Sequence, residues 1–394
     1  MKNVANGGAG VTENVQPVRS SERDEPQAKP RPGMALCLSG GGYRAMLFHV
    51  GALMRLNQMG LLRKIARVSS VSGGSITAAM LGLIWNKLEF DSNSNAGNLD
   101  KLLVTPVRRL AGTTIDAGSI IKGILIPFRS IPDEVTAAYR ESLFGKATLQ
   151  DLPSDTEGPR FVINATSVQT KVLWRFSKPY MGDYRVGLIR NPKLELAVAV
   201  GASSAFPPFL SPVQLKLSPA NFDPATKGDL QVEPYTSRAV LTDGGVYDNL
   251  GLETAWKSYE TILVGDGSGV ADDEPNPKRS WLQHIYRVLN LIDDQVVSLR
   301  KRQVIASYQM GLRTGTYWGI RTDIRNYQLP DALDCPHDRT LVLANTPTRL
   351  KKLDDTLQER LINWGFAVCD AAIRAHVRGD LQKPAGFPYP HSGV

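Results

Sequence analysis

The sequence has few of the features that mark secreted or membrane-spanning proteins. No apolar run reaches the roughly 18 residues that a transmembrane helix requires. Segment 1–18 lacks the apolar core of a secretory signal. The three cysteines (Cys37, Cys335 and Cys369) are odd in number and far apart in the chain, which is typical of reduced thiols. We therefore expect a cytoplasmic protein.

Acidic residues are absent from one long stretch. No Asp or Glu occurs between Met34 and Leu88. The same stretch contains six basic residues: Arg44, Arg55, Arg63, Lys64, Arg67 and Lys87. With a formal net charge of +8 for the chain, this favours an anionic partner, although many proteins carry such a charge without one. Zinc-finger spacings and RNA-binding signatures are missing, so we expect peripheral contact with an anionic membrane and no nucleic-acid binding.

An α/β pattern follows a polar N-terminal segment. Residues 1–33 contain almost no large apolar side chains and are predicted to form a disordered tail, because they cannot offset the entropy lost on folding. Short apolar strands then alternate with helical patterns, at 35–38 and 44–58 and again at 66–71 and 75–88. This alternation predicts a three-layer α/β/α fold with a mostly parallel central sheet.

The remaining segments are assigned to the same domain, which is expected to span residues 34–380. Further strands are expected at 161–167, 172–176, 239–241 and 261–264, and a helix at 194–205. The segment 93–143 is too long for a simple connection and is interpreted as an insertion that caps the sheet. A helical C-terminal region is predicted from about residue 280, with helices at 280–310 and 348–377, an irregular piece at 317–319 and a tail at 381–394.

The first of three glycine-rich turns follows the first strand. Gly40, Gly41 and Gly42 lead into the helix that begins at Arg44, so main-chain N–H groups of the turn and the helix start converge and can bind an anion. The spacing also fits the G-x-G-x-x-A dinucleotide fingerprint, but no acidic residue follows the second strand to bind a ribose. An oxyanion site is favoured over a dinucleotide site or a structural turn, and no cofactor is expected.

The second turn joins the second strand to the second helix. It reads Ser70-Val71-Ser72-Gly73-Gly74, which is the layout of a nucleophile elbow, where a sharp turn projects a serine hydroxyl at the end of the sheet. The consensus G-x-S-x-G is met except at its first position, where serine replaces glycine. Ser72 is the candidate nucleophile, and the alternative is that Ser72 or Ser75 only caps the helix.

The third turn, Asp243-Gly244-Gly245, follows the strand at 239–241. An Asp at the carboxyl end of a parallel strand lies at the edge where α/β sheets carry their sites, so Asp243 is the candidate base. A simple Asx-turn is the alternative. Asp248 and Asp266 are rival carboxylates, and Asp266 is the stronger rival because it also ends an apparent strand.

The histidines offer a second kind of esterase to consider. A Ser–acid–His triad in chain order needs a His after the acid, and His49 precedes both candidates. His284 and His376 fall in helical patterns, and His391 lies in the C-terminal tail. His337, in a predicted loop, is the one histidine worth testing. No metal-ligand spacing is present, so no metal is expected.

Together the three turns resemble the motifs of the patatin-like phospholipase family. That family carries G-G-G-x-R/K-G, G-x-S-x-G and D-G-G/A in this order, and the matching segments here are 40–45, 70–74 and 243–245. Ala45 and Ser70 replace glycines of the family pattern. Further similarity lies in the segments 164–167, 202–209 and 246–251, and the whole resemblance covers about residues 34–268.

The resemblance implies a Ser72–Asp243 dyad that cleaves phospholipids or other acyl lipids through an acyl-enzyme. Its oxyanion hole is expected from Gly41, Gly42, Arg44 and Gly73. Arg44 is also expected to attract an anionic phosphate. The competing hypothesis is a catalytically idle lipid-binding protein on the same fold, whose basic 34–88 region docks on anionic headgroups.

Overall fold

The computed structural model describes residues 30–115, 131–208, 210–270, 273–277 and 280–394. The predicted N-terminal tail up to residue 29 and part of the predicted insertion, at 116–130, lie outside the described residues. The strands are β1 (Arg31–Leu38), β2 (Ile65–Val71), β3 (Arg160–Ser167), β4 (Leu173–Phe176), β5 (Tyr180–Asp183), β6 (Gly187–Arg190), β7 (Val213–Lys216), β8 (Arg238–Asp243), β9 (Tyr259–Asp266) and β10 (Thr314–Gly319).

Within the described ranges, these strands form one mixed sheet. All neighbours in the order β10-β9-β1-β2-β3 are parallel. From β3 the sheet continues with antiparallel pairs through β4, β5 and β6. The end of β3 also pairs antiparallel with β8, which in turn pairs with β7. The parallel half brings the carboxyl ends of β1 and β2 to one edge, where the first two glycine-rich turns follow. The third turn follows β8, which runs antiparallel to β3, so the expectation that Asp243 ends a parallel strand is wrong.

Helices cover both faces of the parallel half. They are α1 (Gly42–Gln58), α2 (Ser72–Ile84), α3 (Thr105–Ala111), α4 (Ile131–Tyr139), α5 (Leu196–Ser203), α6 (Gly245–Asp248), α7 (Glu253–Trp256), α8 (Trp281–Gln309), α9 (His337–Ala344) and α10 (Asp355–His376). The cluster on one face includes residues of α1, α2 and α10, and the cluster on the other includes residues of α7 and α8. The predicted three-layer α/β/α architecture and the helical C-terminal region are thereby confirmed.

Strand β1 illustrates how one strand serves two cores. Leu36 and Leu38 lie in the cluster with α1, α2 and α10, whereas Ala35 and Cys37 lie in the cluster with α7 and α8. Successive side chains of a strand point to opposite faces, and a parallel strand covered on both faces is apolar throughout. The continuous apolar run of β1 follows from this burial.

The sequence missed four strands. The piece around Trp318, predicted to be irregular, forms the edge strand β10, and the Trp318 side chain is fully buried. A Cβ on Gly315 would lie 1.9 Å from the carbonyl O of Ile262 on β9, so a glycine is required for this pairing. The strands β5, β6 and β7 contain four residues each. Such short runs are too brief to show a period of two in the sequence.

Cys37, Cys335 and Cys369 are buried and unpaired. In the part of the chain that the structure describes, no helix combines the length and the apolar character needed to cross a bilayer.

Candidate active site

The serine turn and the aspartate turn meet because two strands end head to head beside β3. Val71, the last residue of β2, pairs with Asn164, and Asp243, the last residue of β8, pairs with Ala165. Asn164 and Ala165 are consecutive, and consecutive Cα atoms lie about 3.8 Å apart. Ser72, which follows Val71, is therefore brought next to Asp243 although the two are distant in the chain.

Ser72 occupies a strained turn between β2 and α2. Its φ angle is +48°, a left-handed conformation that costs a non-glycine residue about 1–2 kcal/mol. The turn is stabilised by the Ser72 N–H, which donates to Oγ of Ser203 at 3.0 Å. Strained residues of this kind cluster at functional sites. The backbone geometry is that of a nucleophile elbow.

The glycine turn after β1 packs directly against this elbow. A Cβ on Gly73 would lie 2.2 Å from the carbonyl O of Gly42, and a Cβ on Gly40 would lie 3.2 Å from the Cβ of Ser72. Gly41 and Gly42 have φ angles of +140° and +60°. Glycine satisfies both requirements, the close approach and the positive φ.

Three main-chain N–H groups at this junction are available to an anion. Among the residues that the structure describes, no acceptor bonds the N–H of Gly41, Gly42 or Gly73, whereas the neighbouring N–H groups of Gly40 and Gly74 donate to main-chain carbonyls at 3.1 Å. The first N–H groups of a helix have no partner within the helix, and the helix dipole adds partial positive charge there. The turns thus place three N–H groups without a protein acceptor beside Ser72.

Asp243 is buried, and the protein supplies a hydrogen-bond donor to only one of its two carboxylate oxygens. Its Oδ1 accepts the N–H of Gly245 at 2.7 Å, whereas its Oδ2 has no hydrogen-bond partner among the described residues. Burial raises the pKa of Asp243 to about 7, and the hydrogen bond from Gly245 and the nearby Ser72 hydroxyl act against this rise. The Ser72 hydroxyl is thus close enough to influence the carboxylate, without the geometry of a full hydrogen bond to Oδ2. A pKa near 7 makes Asp243 a better base than an ordinary Asp.

Sequence reasoning gave no role to Ser203, which links the pieces of the site. Besides accepting the N–H of Ser72, its Oγ donates to the carbonyl O of Asn164 at 2.7 Å. Two residues later, the carbonyl O of Ala205 accepts the N–H of Asp243 at 2.9 Å. The sequence signal was the run of small residues at 202–205, which entered the prediction as part of the helix at 194–205 and of the family resemblance.

The expectation that the Arg44 side chain faces a phosphate or oxyanion is wrong. The guanidinium is buried and donates to the carbonyl O of Gly267 at 3.1 Å, to the carbonyl O of Thr346, and to Oγ1 of Thr348 at 2.8 Å. Burial lowers the pKa of Arg44 to about 10. The side chain ties α1 to the segments that follow β9 and α9, so it is committed to the fold.

The rival carboxylates are engaged in other contacts. Asp266 accepts the Tyr317 hydroxyl at 2.6 Å and lies 3.1 Å from Nζ of Lys301. These contacts outweigh its burial, and its pKa is lowered. Asp248 accepts the main-chain N–H of Glu253 at 2.7 Å at the start of α7. Neither carboxylate is the last residue of β8, the position that the strand pairing brings next to Ser72.

None of the five histidines contacts the Ser72–Asp243 pair. The buried His49 bonds the carbonyl O of Ser39 through Nε2 at 3.0 Å, and burial lowers its pKa to about 4. His337 begins α9 rather than lying in a loop. The other three are the exposed His284, His376 beside Tyr327, and His391 paired with Glu359.

Half of the predicted basic surface lies inside the protein. Arg44, Arg55 and Arg67 are buried, and Arg55 forms a 2.7 Å ion pair with Asp370. The exposed members are Arg63, Lys64 and Lys87. The absence of acidic residues from 34–88 therefore reflects buried arginines as well as surface charge, and the expected basic docking region is reduced to three residues.

The chain is similar to one protein-family model and to several solved structures. A family model described as patatin-like phospholipase matches residues 36–256. Similar solved structures include human GIVD cytosolic phospholipase A2 in complex with methyl gamma-linolenyl fluorophosphonate, at 14% identity over 86% of this chain and 57% of that chain with a TM-score of 0.47. They also include VipD from Legionella pneumophila, at 15% identity over 81% of this chain and 67% of that chain with a TM-score of 0.30. The chain spans little more than half the length of the human phospholipase A2 chain.

No curated protein matches the sequence. The family model covers more than half of the chain and extends from β1 to α7, so it includes all three glycine-rich turns. The chain belongs to the patatin-like phospholipase family.

Proposed function

We propose that the protein hydrolyses carboxylic ester bonds of phospholipids or related acyl lipids, with Ser72 as nucleophile and Asp243 as proton acceptor. The observation that carries the proposal is the meeting of β2 and β8 on the consecutive residues Asn164 and Ala165. We further propose that the enzyme is cytoplasmic and works at the surface of an anionic membrane.

In the first step, Oγ of Ser72 attacks the ester carbonyl carbon while its proton passes to Oδ2 of Asp243. This oxygen is buried and lacks a protein hydrogen bond, and the pKa near 7 suits proton transfer at neutral pH. The carbonyl oxygen becomes an oxyanion in the tetrahedral intermediate. The N–H groups of Gly41, Gly42 and Gly73 would stabilise it, and each such donor is typically worth about 10²–10³ in rate.

In the second step, the intermediate collapses and the C–O bond to the alcohol breaks. The leaving alkoxide takes the proton from Asp243, and the acyl group remains on Ser72 as an ester. Water then attacks this acyl-enzyme, its proton passing to Asp243, and the fatty acid leaves as Ser72 regains its proton. No metal or cofactor takes part in the proposed sequence.

The experiment that tests the proposal is labelling with a fluorophosphonate probe combined with phospholipid hydrolysis. We expect the wild type to be labelled at Ser72 and to release fatty acid from phosphatidylcholine or phosphatidylglycerol. The variants Ser72→Ala and Asp243→Asn should lose at least about 10³-fold in activity, because they remove the nucleophile and the base. Circular dichroism should show both variants to be folded.

Two results would reject specific parts of the proposal. Near-normal turnover by Asp243→Asn would exclude Asp243 as the base and make Asp266 the next candidate. A wild type that binds lipid but neither reacts with the probe nor releases fatty acid would favour the idle lipid-binding protein instead.

A further inference from the structure

The first half of α8 exposes an unusual amount of apolar surface. We name this the α8 apolar surface. It consists of seven exposed large side chains between residues 281 and 292: Trp281, Ile285, Tyr286, Val288, Leu289, Leu291 and Ile292. Trp281 is 73% exposed and Ile292 is 52% exposed. Contiguous apolar patches on a protein surface mark interaction sites more often than single exposed residues do.

The helix is amphipathic along this surface. Trp281, Ile285, Val288 and Ile292 recur at spacings of three and four, so they line one side of the helix. Polar residues line the opposite side with the same spacing: Gln283, Arg287, Asn290 and Asp294. A helix with one apolar stripe normally turns that stripe toward the protein core. Here the stripe is exposed.

The second half of α8 explains why the stripe faces away from the protein. Val297 and Val304 are buried against the sheet, and the Tyr308 hydroxyl donates to the carbonyl O of Ile262 at 2.7 Å. At about 100° per residue, these anchors lie on roughly the opposite side of the helix from the stripe. Leu299, which lies on the line of the stripe, is 58% exposed. The anchored half thus holds the apolar stripe outward.

The α8 apolar surface lies beside the candidate active site. The helix α6 directly follows the aspartate turn and contacts α8. Val246, on α6, is 46% exposed. The residue after Ile292 is Asp293, whose negative charge is close enough to raise the pKa of Asp243. The end of the α8 apolar surface at Ile292 is therefore near the Ser72–Asp243 pair.

We infer that the α8 apolar surface is the site where the protein docks on an anionic lipid bilayer, with α8 lying in the plane of the interface. The choice of a lipid as occupant rests on the proposed function, whose substrate is held in such a bilayer. Docking here would bring the membrane to the site, so that a lipid need not cross water to reach Ser72.

Charge and composition favour a bilayer over a second copy of the chain. Two copies of a chain with a formal net charge of +8 repel each other, whereas anionic lipids attract it. Trp281 and Tyr286 are of the residue types that are enriched at the membrane–water interface. An apolar stripe that includes a tryptophan, with a polar side opposite it, is the pattern of helices that lie on membranes rather than span them.

Vesicle binding by the full chain tests this inference. The Ser72→Ala background prevents hydrolysis of the vesicles, which contain phosphatidylcholine and phosphatidylglycerol in equal amounts. In this Ser72→Ala background, the α8 variant is Ile285→Glu/Val288→Glu. The control is Val232→Glu/Val342→Glu, which places the same charges at other exposed valines. We expect the α8 variant to bind at least about tenfold more weakly in co-sedimentation, because burial of one large apolar side chain is worth roughly that factor or more. The control should bind like its parent.

A second measurement does not depend on the charged variants. Brominated phosphatidylcholine in the vesicles should quench the tryptophan fluorescence of the Ser72→Ala protein more than that of Ser72→Ala/Trp281→Phe. Equal quenching, equal vesicle binding by the α8 variant and the control, or no binding by the parent would overturn the inference. The inference would also be overturned if the parent protein self-associated and the α8 variant were monomeric, since a second copy of the chain would then be the occupant.

The outcomes also separate this inference from the proposed function. Docking on vesicles through α8 without labelling at Ser72 would support the docking inference and contradict the proposed hydrolase. Labelling and hydrolysis of a dispersed ester without vesicle binding through α8 would support the hydrolase and contradict the docking inference.

Discussion

Asp243 owes its chemical character to its surroundings rather than to its residue type. A solvated Asp has a pKa of about 4 and is a weak base at neutral pH. Here burial raises the pKa to about 7, and one carboxylate oxygen has no protein partner. Asp266, of the same type and equally buried, has a lowered pKa because Lys301, Ser268 and Tyr317 surround it. Two aspartates that each end a strand thus have pKa values shifted in opposite directions.

The pH dependence of labelling at Ser72 follows from this environment. The carboxylate form of Asp243 must accept the serine proton, so the rate should be low below the pKa and rise to a plateau above it, with a midpoint near pH 7. The measurement is the rate of fluorophosphonate labelling across pH. Asp293→Asn should move the midpoint to lower pH, because the negative charge of Asp293 raises the pKa of Asp243. A rate that does not change through neutral pH would exclude Asp243 as the base.

At the scale of elements, the site lies where two consecutive strand–turn–helix units, β1–α1 and β2–α2, meet. The turn between β1 and α1 and the turn between β2 and α2 touch through Gly42 and Gly73, with no space for a side chain between them. In the proposed mechanism, this contact places the N–H groups of both turns beside the same oxyanion. The Arg44 side chain holds the start of α1 in place by donating to the main-chain oxygens of Gly267 and Thr346.

Gly73→Ala tests this junction. The new Cβ would lie 2.2 Å from the carbonyl O of Gly42, so one turn must move and the N–H groups no longer converge. We expect a loss of about 10²-fold or more in hydrolysis, with a decrease of about 1–3 kcal/mol in the free energy of unfolding. Gly97→Ala is the matched control, since its Cβ would meet open space. Wild-type hydrolysis by Gly73→Ala would show that the two turns need not touch.

At the scale of the whole molecule, the C-terminal third completes the core around α1. The helices α1 and α10 make extensive contact, and glycines allow their backbones to approach. A Cβ on Gly51 would lie 1.9 Å from the carbonyl O of Ile362, and a Cβ on Gly365 would lie 1.9 Å from the carbonyl O of Phe48. Because α1 begins at the glycine turn of the site, its packing against α10 also helps to hold that turn in place.

Gly365→Ala should therefore destabilise the entire domain. We expect the free energy of unfolding to fall by about 1–3 kcal/mol or more, since the added methyl group separates two closely packed helices. Urea denaturation followed by circular dichroism is the measurement. Gly379→Ala serves as the control because its Cβ would lie 3.6 Å from the carbonyl O of Arg374, an ordinary van der Waals distance. An unchanged midpoint for Gly365→Ala would mean that α10 does not pack on α1 in this way.

Much of the parallel half of the sheet was predictable from local patterns. The runs at 35–38 and 66–71 fall within β1 and β2, and the helical spacing at 44–58 falls within α1. A buried parallel strand and the helix after it are continuous segments whose apolar patterns appear directly in the sequence. The strands β5, β6, β7 and β10 were missed because short or glycine-containing strands depend on neighbours that are distant in the chain.

The sequence by itself determined the three glycine-rich turns, since positive φ angles and close backbone contacts favour glycine. It also determined Ser72 and Asp243 as candidates through the strand ends that precede them. Only the tertiary structure decided that β2 and β8 end on adjacent residues of β3, that Arg44 points away from the site, and that the stripe of α8 is exposed. These depend on which distant segments meet, and the free energy of such contacts belongs to pairs of segments rather than to either one alone.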